Sequence, residues 1–160
     1  MTDTNEIAEK FWKSLKSDRT AMLWVEGTPG SCPMTVLVDP DTEQSPLWIF
    51  TSNETDLVRS LPGSKKAALA FSSKGHDLFG SVDGEISISY DRATIDKLWN
   101  PFVAAWFEGG KDDPKLTLLR FDGTAAKVWI DGSSLLAGAK ILLGVDPKKD
   151  YQDKVAEIEV

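Results

Sequence analysis

Cysteine and histidine are almost absent from this sequence. Its 160 residues hold one of each, Cys32 and His76. A single thiol closes no internal disulfide, and one Cys with one His falls short of the four ligands of a structural zinc centre. A Ser–His–Asp triad would have to pass through His76, but the chain has no Gly-x-Ser-x-Gly elbow. His76, between Gly75 and Asp77, reads instead as an exposed loop residue. Cys32 has no base close by in sequence and reads as a small, half-exposed thiol. Neither a G-x-G-x-x-G nor a G-x-x-x-x-G-K-[ST] run occurs, which excludes the Rossmann and P-loop modes of phosphate binding. Positive charge is also short. Lys and Arg number 18 against 25 Asp and Glu, for a net charge of −7 and a pI near 4.7. That balance argues against a nucleic-acid surface or an anionic membrane. No apolar run approaches the roughly 20 residues of a membrane helix. The N-terminus lacks the basic-then-apolar order of a secretory signal, so the expected location is cytoplasmic. Internal repeats and low-complexity segments are missing as well.

What is present fits a soluble domain: 41% hydrophobic and 27% charged residues, with six Trp. One domain over residues 1–145 with a polar tail over 146–160 is the expected organisation. Trp brings a large apolar ring and a single donor, so it suits a core or a flat-ligand wall.

The stretch over residues 46–73 reads as strand, short helix, strand. Leu47, Trp48, Ile49 and Phe50 form a compact β-forming run. Thr51, Ser52 and Asn53 follow, all of types that cap helices. A helix is expected over 54–61, with Leu57, Val58 and Leu61 on one face, stopped by Pro62-Gly63. Free N–H groups at such a junction can hold an anion; the plainer reading is a simple cap. Residues 67–71 supply the second apolar strand.

Before this stretch, 3.6-residue spacing predicts a helix over 2–17 with Ile7, Ala8, Phe11, Trp12 and Leu15 inward. Residues 20–26 alternate, but both sides are apolar, so a strand covered on both faces is expected. A returning strand spans 33–38. After it, Asp83-Gly84 and Asp122-Gly123 each predict a hairpin turn, joining strands 77–82 to 85–90 and 116–121 to 124–130. Asp91 caps a helix carrying Ile95, Leu98, Trp99, Phe102, Val103 and Trp106. Pro101 should kink or split it. Residues 108–114 are a polar loop in which Asp112-Asp113 reads as a solvated pair. Ser133 opens a last helix that Gly144 ends, and residues 155–160 could add an edge strand. Many strands with helices at the breaks read as an α+β, barrel-like sheet.

The order of these pieces resembles the general stress protein 26 family, among the pyridoxamine 5′-phosphate oxidase-like FMN-binding split barrels. The resemblance rests on Pro33-Met34, the run from Trp48 through Phe50 to Thr51-Ser52, and Ser81 to Gly84. It continues through Asp91-Arg92, Leu98-Trp99, the Trp106-Phe107 to Asp113-Pro114 segment, Leu118 to Arg120 and Val128-Trp129. It covers about residues 5 to 145, and the Trp-Phe…Gly-Gly-Lys-Asp-Asp-Pro segment is its most specific part.

The resemblance implies a six-stranded antiparallel split β-barrel with flanking helices that dimerises, with FMN in a groove between subunits. It implies a phosphate near Phe50, Thr51, Ser52, Asp56 and Leu57, and a flavin ring along the backbone of Met34, Thr35 and Val36. Trp106 and Trp129 would lie near the ring or the dimer seam. Two positions depart from the family. Cys32 stands where relatives often carry Arg, and Thr55-Asp56-Leu57 stands where they often carry Ser-x-Lys. Glu54 and Asp56 add negative charge there, and Arg59, Lys65 or Lys66 would have to supply a cation. The reading is a homodimeric flavin-binding protein with a redox or stress-protection role. The alternative is a non-catalytic ligand-binding or interaction protein on the same fold.

Overall fold

The computed structural model describes residues 4–130 and 155–160. The helix expected at Ser133 and its stop at Gly144 lie outside the described residues. Helix α1 (Thr4–Asp18) buries Ile7, Phe11, Trp12 and Leu15, the stripe that its spacing predicts. Four strands follow: β1 (Thr20–Val25), β2 (Ser31–Thr35), β3 (Leu37–Val38) and β4 (Leu47–Ser52). A four-residue helix α2 (Asp56–Arg59) leads to β5 (Lys65–Ser72) and β6 (Leu78–Ser89). Helices α3 (Arg92–Leu98) and α4 (Pro101–Ala104) precede β7 (Leu116–Ile130), and β8 (Val155–Ile158) is the strand read near the C-terminal end.

All strand pairs are antiparallel, in the order β2-β1-β5-β6-β7-β4-β3, with β8 also on β7. The two ends of that order, β2 and β3, are separated in sequence by Val36 alone. The sheet must therefore curl until its ends meet, which makes a barrel. The α+β split barrel with flanking helices is what the sequence suggests, but with eight strands where six were expected. Val36 divides one expected strand into β2 and β3, and β8 comes from the segment read as tail. Along β7, residues 116–121 pair with β4 and residues 126–129 with β8, while β6 runs beside both halves.

The two expected Asp-Gly hairpins do not form. β6 and β7 each run straight through their Asp-Gly, and Gly84 pairs with Gly123. A tight I′ turn needs φ above zero at both central residues. None of Asp83, Gly84, Asp122 and Gly123 has it. The register shifts beside Asp83/Gly84, leaving Thr124 unpaired as a bulge whose hydroxyl donates to the Asp83 carbonyl at 3.1 Å. Glycine is needed here for closeness. A Cβ on Gly84 would stand 2.3 Å from the Asp122 carbonyl oxygen.

The inner core joins α1 to the inward residues of the barrel, among them Leu23, Val25, Ile49, Leu69, Ile86, Leu119 and Phe121. A second cluster lies on the outer face, where Leu98 of α3 covers Leu37, Trp48 and Leu118. Among the described residues, the outer face is open over β1. β1 alternates strictly, with Ala21, Leu23 and Val25 buried but Met22 39% and Trp24 40% exposed. The expectation that both faces of β1 are covered is thus corrected. Pro101 does split its helix. Asn100 accepts from the N–H groups of Phe102 and Val103, both at 3.0 Å, and restarts the chain as α4.

Candidate functional site

The barrel is incomplete at one place. β3 pairs with β4 only through Leu37–Trp48 and Val38–Leu47. Continued backwards, that register would set Val36, Thr35 and Met34 beside Ile49, Phe50 and Thr51. The chain instead departs to pair with β1, so β2 and β4 approach without pairing. Two backbone edges therefore face one gap.

The phase of the β2 edge follows from one bond. The Val36 N–H donates to the Arg19 carbonyl at 2.6 Å. Bonded and non-bonded pairs alternate in an antiparallel ladder. Met34 and Cys32 therefore bond towards β1, while Thr35, Pro33 and Ser31 turn their backbone groups to the gap. Pro33, which has no N–H to give, sits where none is required. Side chains sort the other way. Met34 packs against the inner core and Val36 is fully buried, whereas Thr35 is exposed. Across the gap, Phe50 stands edge-on to Trp99, with ring centroids 6.1 Å apart.

Thr51 and Ser52 belong to the end of β4, and Thr55 is the residue that caps α2, accepting from the Val58 N–H at 3.4 Å. The cap falls later than expected because pairing with Thr117 and Leu116 holds Thr51 and Ser52 extended. Ser52 Oγ accepts from the Glu54 N–H at 3.2 Å, and Thr55 Oγ1 donates to the Ser52 carbonyl at 2.9 Å. Glu54 and Asp56 are exposed. Lys115 lies 3.5 Å from Glu54, both ends largely exposed. Arg59 is exposed and has no ion-pair partner among the described residues.

A loop borders this junction, and charge holds it. The Asn53 backbone N–H donates to the Lys115 carbonyl and its side chain to the Pro114 carbonyl, both at 2.9 Å. Asp113 closes the loop on itself by accepting from Gly109 and Lys115 N–H groups at 3.0 and 2.9 Å. Those bonds, Lys115 first, hold its carboxyl below the ordinary range. Asp112 reaches outward to Arg92 at 2.7 Å, and this bond raises the guanidinium's pKa. Arg92 also donates to the Lys111 carbonyl at 3.1 Å and pairs with Asp96, which in turn pairs with Lys111. Asp112 is exposed and Asp113 half-buried, and each is engaged. Sequence reading missed Arg92 and Asn53, whose partners lie far along the chain. Arg92 has one signal, its place in a segment that matches the family pattern, and Asn53 reads only as a residue type that caps helices.

Of the residues expected at a site, Met34, Thr35, Val36, Phe50, Thr51 and Ser52 line or flank the gap, and Asp56 and Leu57 follow on α2. Trp106 is 82% exposed in the turn between α4 and the braced loop, after Phe102, which is 75% exposed. Trp129 is elsewhere. It pairs with Phe79 and Val155, with Lys127 Nζ 5.5 Å from its ring centre. From Thr117, the partner of Thr51, to residue 129 is roughly 40 Å along β7 at about 3.3 Å per residue. His76 has φ +57° in the turn before β6, and its N–H donates to the Ser73 carbonyl at 2.9 Å. Among the described residues no His/Cys/Asp/Glu group could hold a metal. The groups beside the gap are of types that suit a flavin: a free backbone edge, aromatic neighbours and hydroxyls, with Arg59 unpaired among the described residues.

The family model described as "Pyridoxamine 5′-phosphate oxidase like" matches residues 6–151. A general stress family protein from Xanthomonas campestris is 50% identical over 84% of this chain and 93% of its own, with a TM-score of 0.79. The structure of a general stress FMN/FAD binding protein from Xanthomonas citri is 49% identical, over 82% and 93%, with a TM-score of 0.78. A general stress protein 26 from Jannaschia is 27% identical, over 99% and 100%, with a TM-score of 0.80. A search of curated proteins found no match.

Proposed function

The chain belongs to the pyridoxamine 5′-phosphate oxidase-like family, and from that premise we propose that it binds a flavin, FMN first, in the gap between β2 and β4. It acts as a cytoplasmic homodimer in a redox or stress-protection role. The observation that carries this reading is the pair of unpaired backbone edges, with the Thr35 amide and carbonyl turned into the gap. A bound flavin supplies electron transfer. The chain's own groups hold and orient it. Thr35 meets the polar edge of the ring, Phe50 gives an apolar side, and the Thr51 and Ser52 hydroxyls and Arg59 serve the tail. Trp106 walls the ring from the loop, and Trp129 reaches a site only from a second copy.

Glu54 and Asp56 oppose a phosphate dianion, which sets the experiment. FMN is titrated into the wild type, Asp56→Ser, Leu57→Lys and the pair. Leu57 is half-buried against the core, so lysine keeps its stem there while its head reaches water. A charge-assisted contact is worth about 1.5–3 kcal/mol, so Leu57→Lys should tighten binding roughly tenfold to a hundredfold. Asp56→Ser should act in the same direction. Folded variants that bind no tighter would remove the phosphate from this turn. A colourless protein whose addition leaves FMN fluorescence unchanged would end the flavin reading.

A second reading, ligand binding without catalysis, draws on the titrating groups. Cys32 is the one titratable side chain on β2 and β4. Oxidation of reduced nicotinamide in the presence of FMN supports an enzyme. Tight FMN binding without turnover supports the second reading.

A further inference from the structure

We propose that Arg92 is a positioning residue, which latches the loop carrying Trp106 and so sets the flavin site from a distance. The inference rests on the flavin reading above for its ligand and on the contacts of Arg92 for the latch. The loop is held at three places. Its far end is tied to the end of β4 by Asn53, through Pro114 and Lys115. Its middle is closed by Asp113 on Gly109, where a Cβ would come within 2.9 Å of Asp113 Cα. Its outer side is tied to α3 by Arg92, through Asp112 and the Lys111 carbonyl, and by Asp96, through the Lys111 ammonium.

Arg92 is itself well placed to hold. It follows Asp91, whose carboxylate accepts from the Ala93 N–H at 3.1 Å and the Thr94 hydroxyl at 2.7 Å. The helix start is thereby fixed, and α3 is anchored on the barrel through Leu98 and, at Lys97, through Asp39 and Asp41. Asp96 holds the guanidinium Nε at 3.3 Å and Lys111 Nζ at 3.1 Å. A planar guanidinium satisfies Asp96, Asp112 and the Lys111 carbonyl together, which an ammonium cannot. Trp106 carries a large exposed ring at the turn that ends α4, where its N–H donates to the Val103 carbonyl and the chain enters this loop. An unlatched loop would leave that ring to be ordered at the moment of binding, which costs affinity.

The test uses Arg92→Gln, Asp112→Asn, their double variant and Arg92→Lys, each with and without Trp106→Phe. The difference between each pair isolates Trp106 in fluorescence anisotropy decay. Arg92→Gln and Asp112→Asn should each add fast local motion to Trp106 and weaken FMN by a few-fold, on the order of five. The double variant should lose no more than Arg92→Gln alone, because that change already removes the contact with Asp112. Arg92→Lys should recover part of both effects. Thermal melting run alongside checks that the barrel is intact. Unchanged Trp106 anisotropy in Arg92→Gln overturns the latch. FMN affinity that falls on Trp106→Ala but not on Arg92→Gln overturns the coupling and leaves the flavin reading standing. Absence of FMN binding in the wild type overturns the flavin reading, while the anisotropy still decides the latch.

Discussion

Gly84 leaves no room for a methyl group. Besides the Asp122 carbonyl, a Cβ there would meet Phe121 Cζ at 2.9 Å, and neither can withdraw from a paired strand in a full core. Gly84→Ala should destabilise by about 1–3 kcal/mol. Gly63→Ala, with nothing within 4 Å, should stay within roughly 0.5 kcal/mol. Denaturant unfolding of both distinguishes close packing from a mere loss of glycine. Asp113 gives a prediction in pH. Its carboxyl is held below its ordinary 3.8 in the folded loop. Its stabilisation is therefore complete above the unfolded value and lost as pH falls through the lower folded one. Between about pH 5 and 2, stability should fall less steeply in Asp113→Asn than in the wild type. At this scale the residue types were legible and their partners were not. Asp112 and Asp113 look alike in sequence, yet one reaches α3 and the other closes its own loop.

Elements were read well where the pattern is local. The stripe of α1 and the break at Pro101 need no distant partner to explain them. Asn100 makes the break a restart, since its side chain satisfies two of the first amides of α4. Asn100→Ala should cost about 1 kcal/mol, measured by thermal or denaturant unfolding. It should also loosen the segment leading to Trp106. The two Asp-Gly steps misled because their turn signal is real in isolation. Pairing of Gly84 with Gly123 over two long strands outweighs it. Those strands gain a continuous ladder and seat Val160, whose Cγ2 would lie 2.8 Å from a Cβ on Gly123. The capping residue shifted from Thr51-Ser52 to Thr55 for the same reason.

At the scale of the whole molecule, the open part of the outer face exposes large apolar side chains. Met22, Trp24 and Phe79 are each about two-fifths exposed. Met22 stands in one row with Pro33, Ala70, Ser81 and Lys127, while Trp129 stands beside Phe79. Monomers rarely leave so large a patch in water. If a second copy covers it, Trp24→Lys with Met22→Lys should shift the protein towards monomer. Sedimentation at micromolar concentration checks this. A wild type that sediments only at the 17.6 kDa of one chain would contradict the dimer. The alternation of β1 gave both its faces as apolar, but which face meets α1 and which stays bare depends on how the sheet curls.

The sequence by itself determined the element types, the apolar stripes, the exclusion of metal and nucleotide motifs, and the family pattern. Each of these is set within a few residues, by periodicity, capping chemistry or spacing. Only the tertiary structure decided that two strands run through their Asp-Gly steps, that β2 parts from β4 to leave two free edges, and that Arg92 reaches Asp112 and the Lys111 carbonyl. Each of those depends on which distant segments meet. Long-range pairing is cooperative, so it can override a local turn or cap preference worth only about 1 kcal/mol.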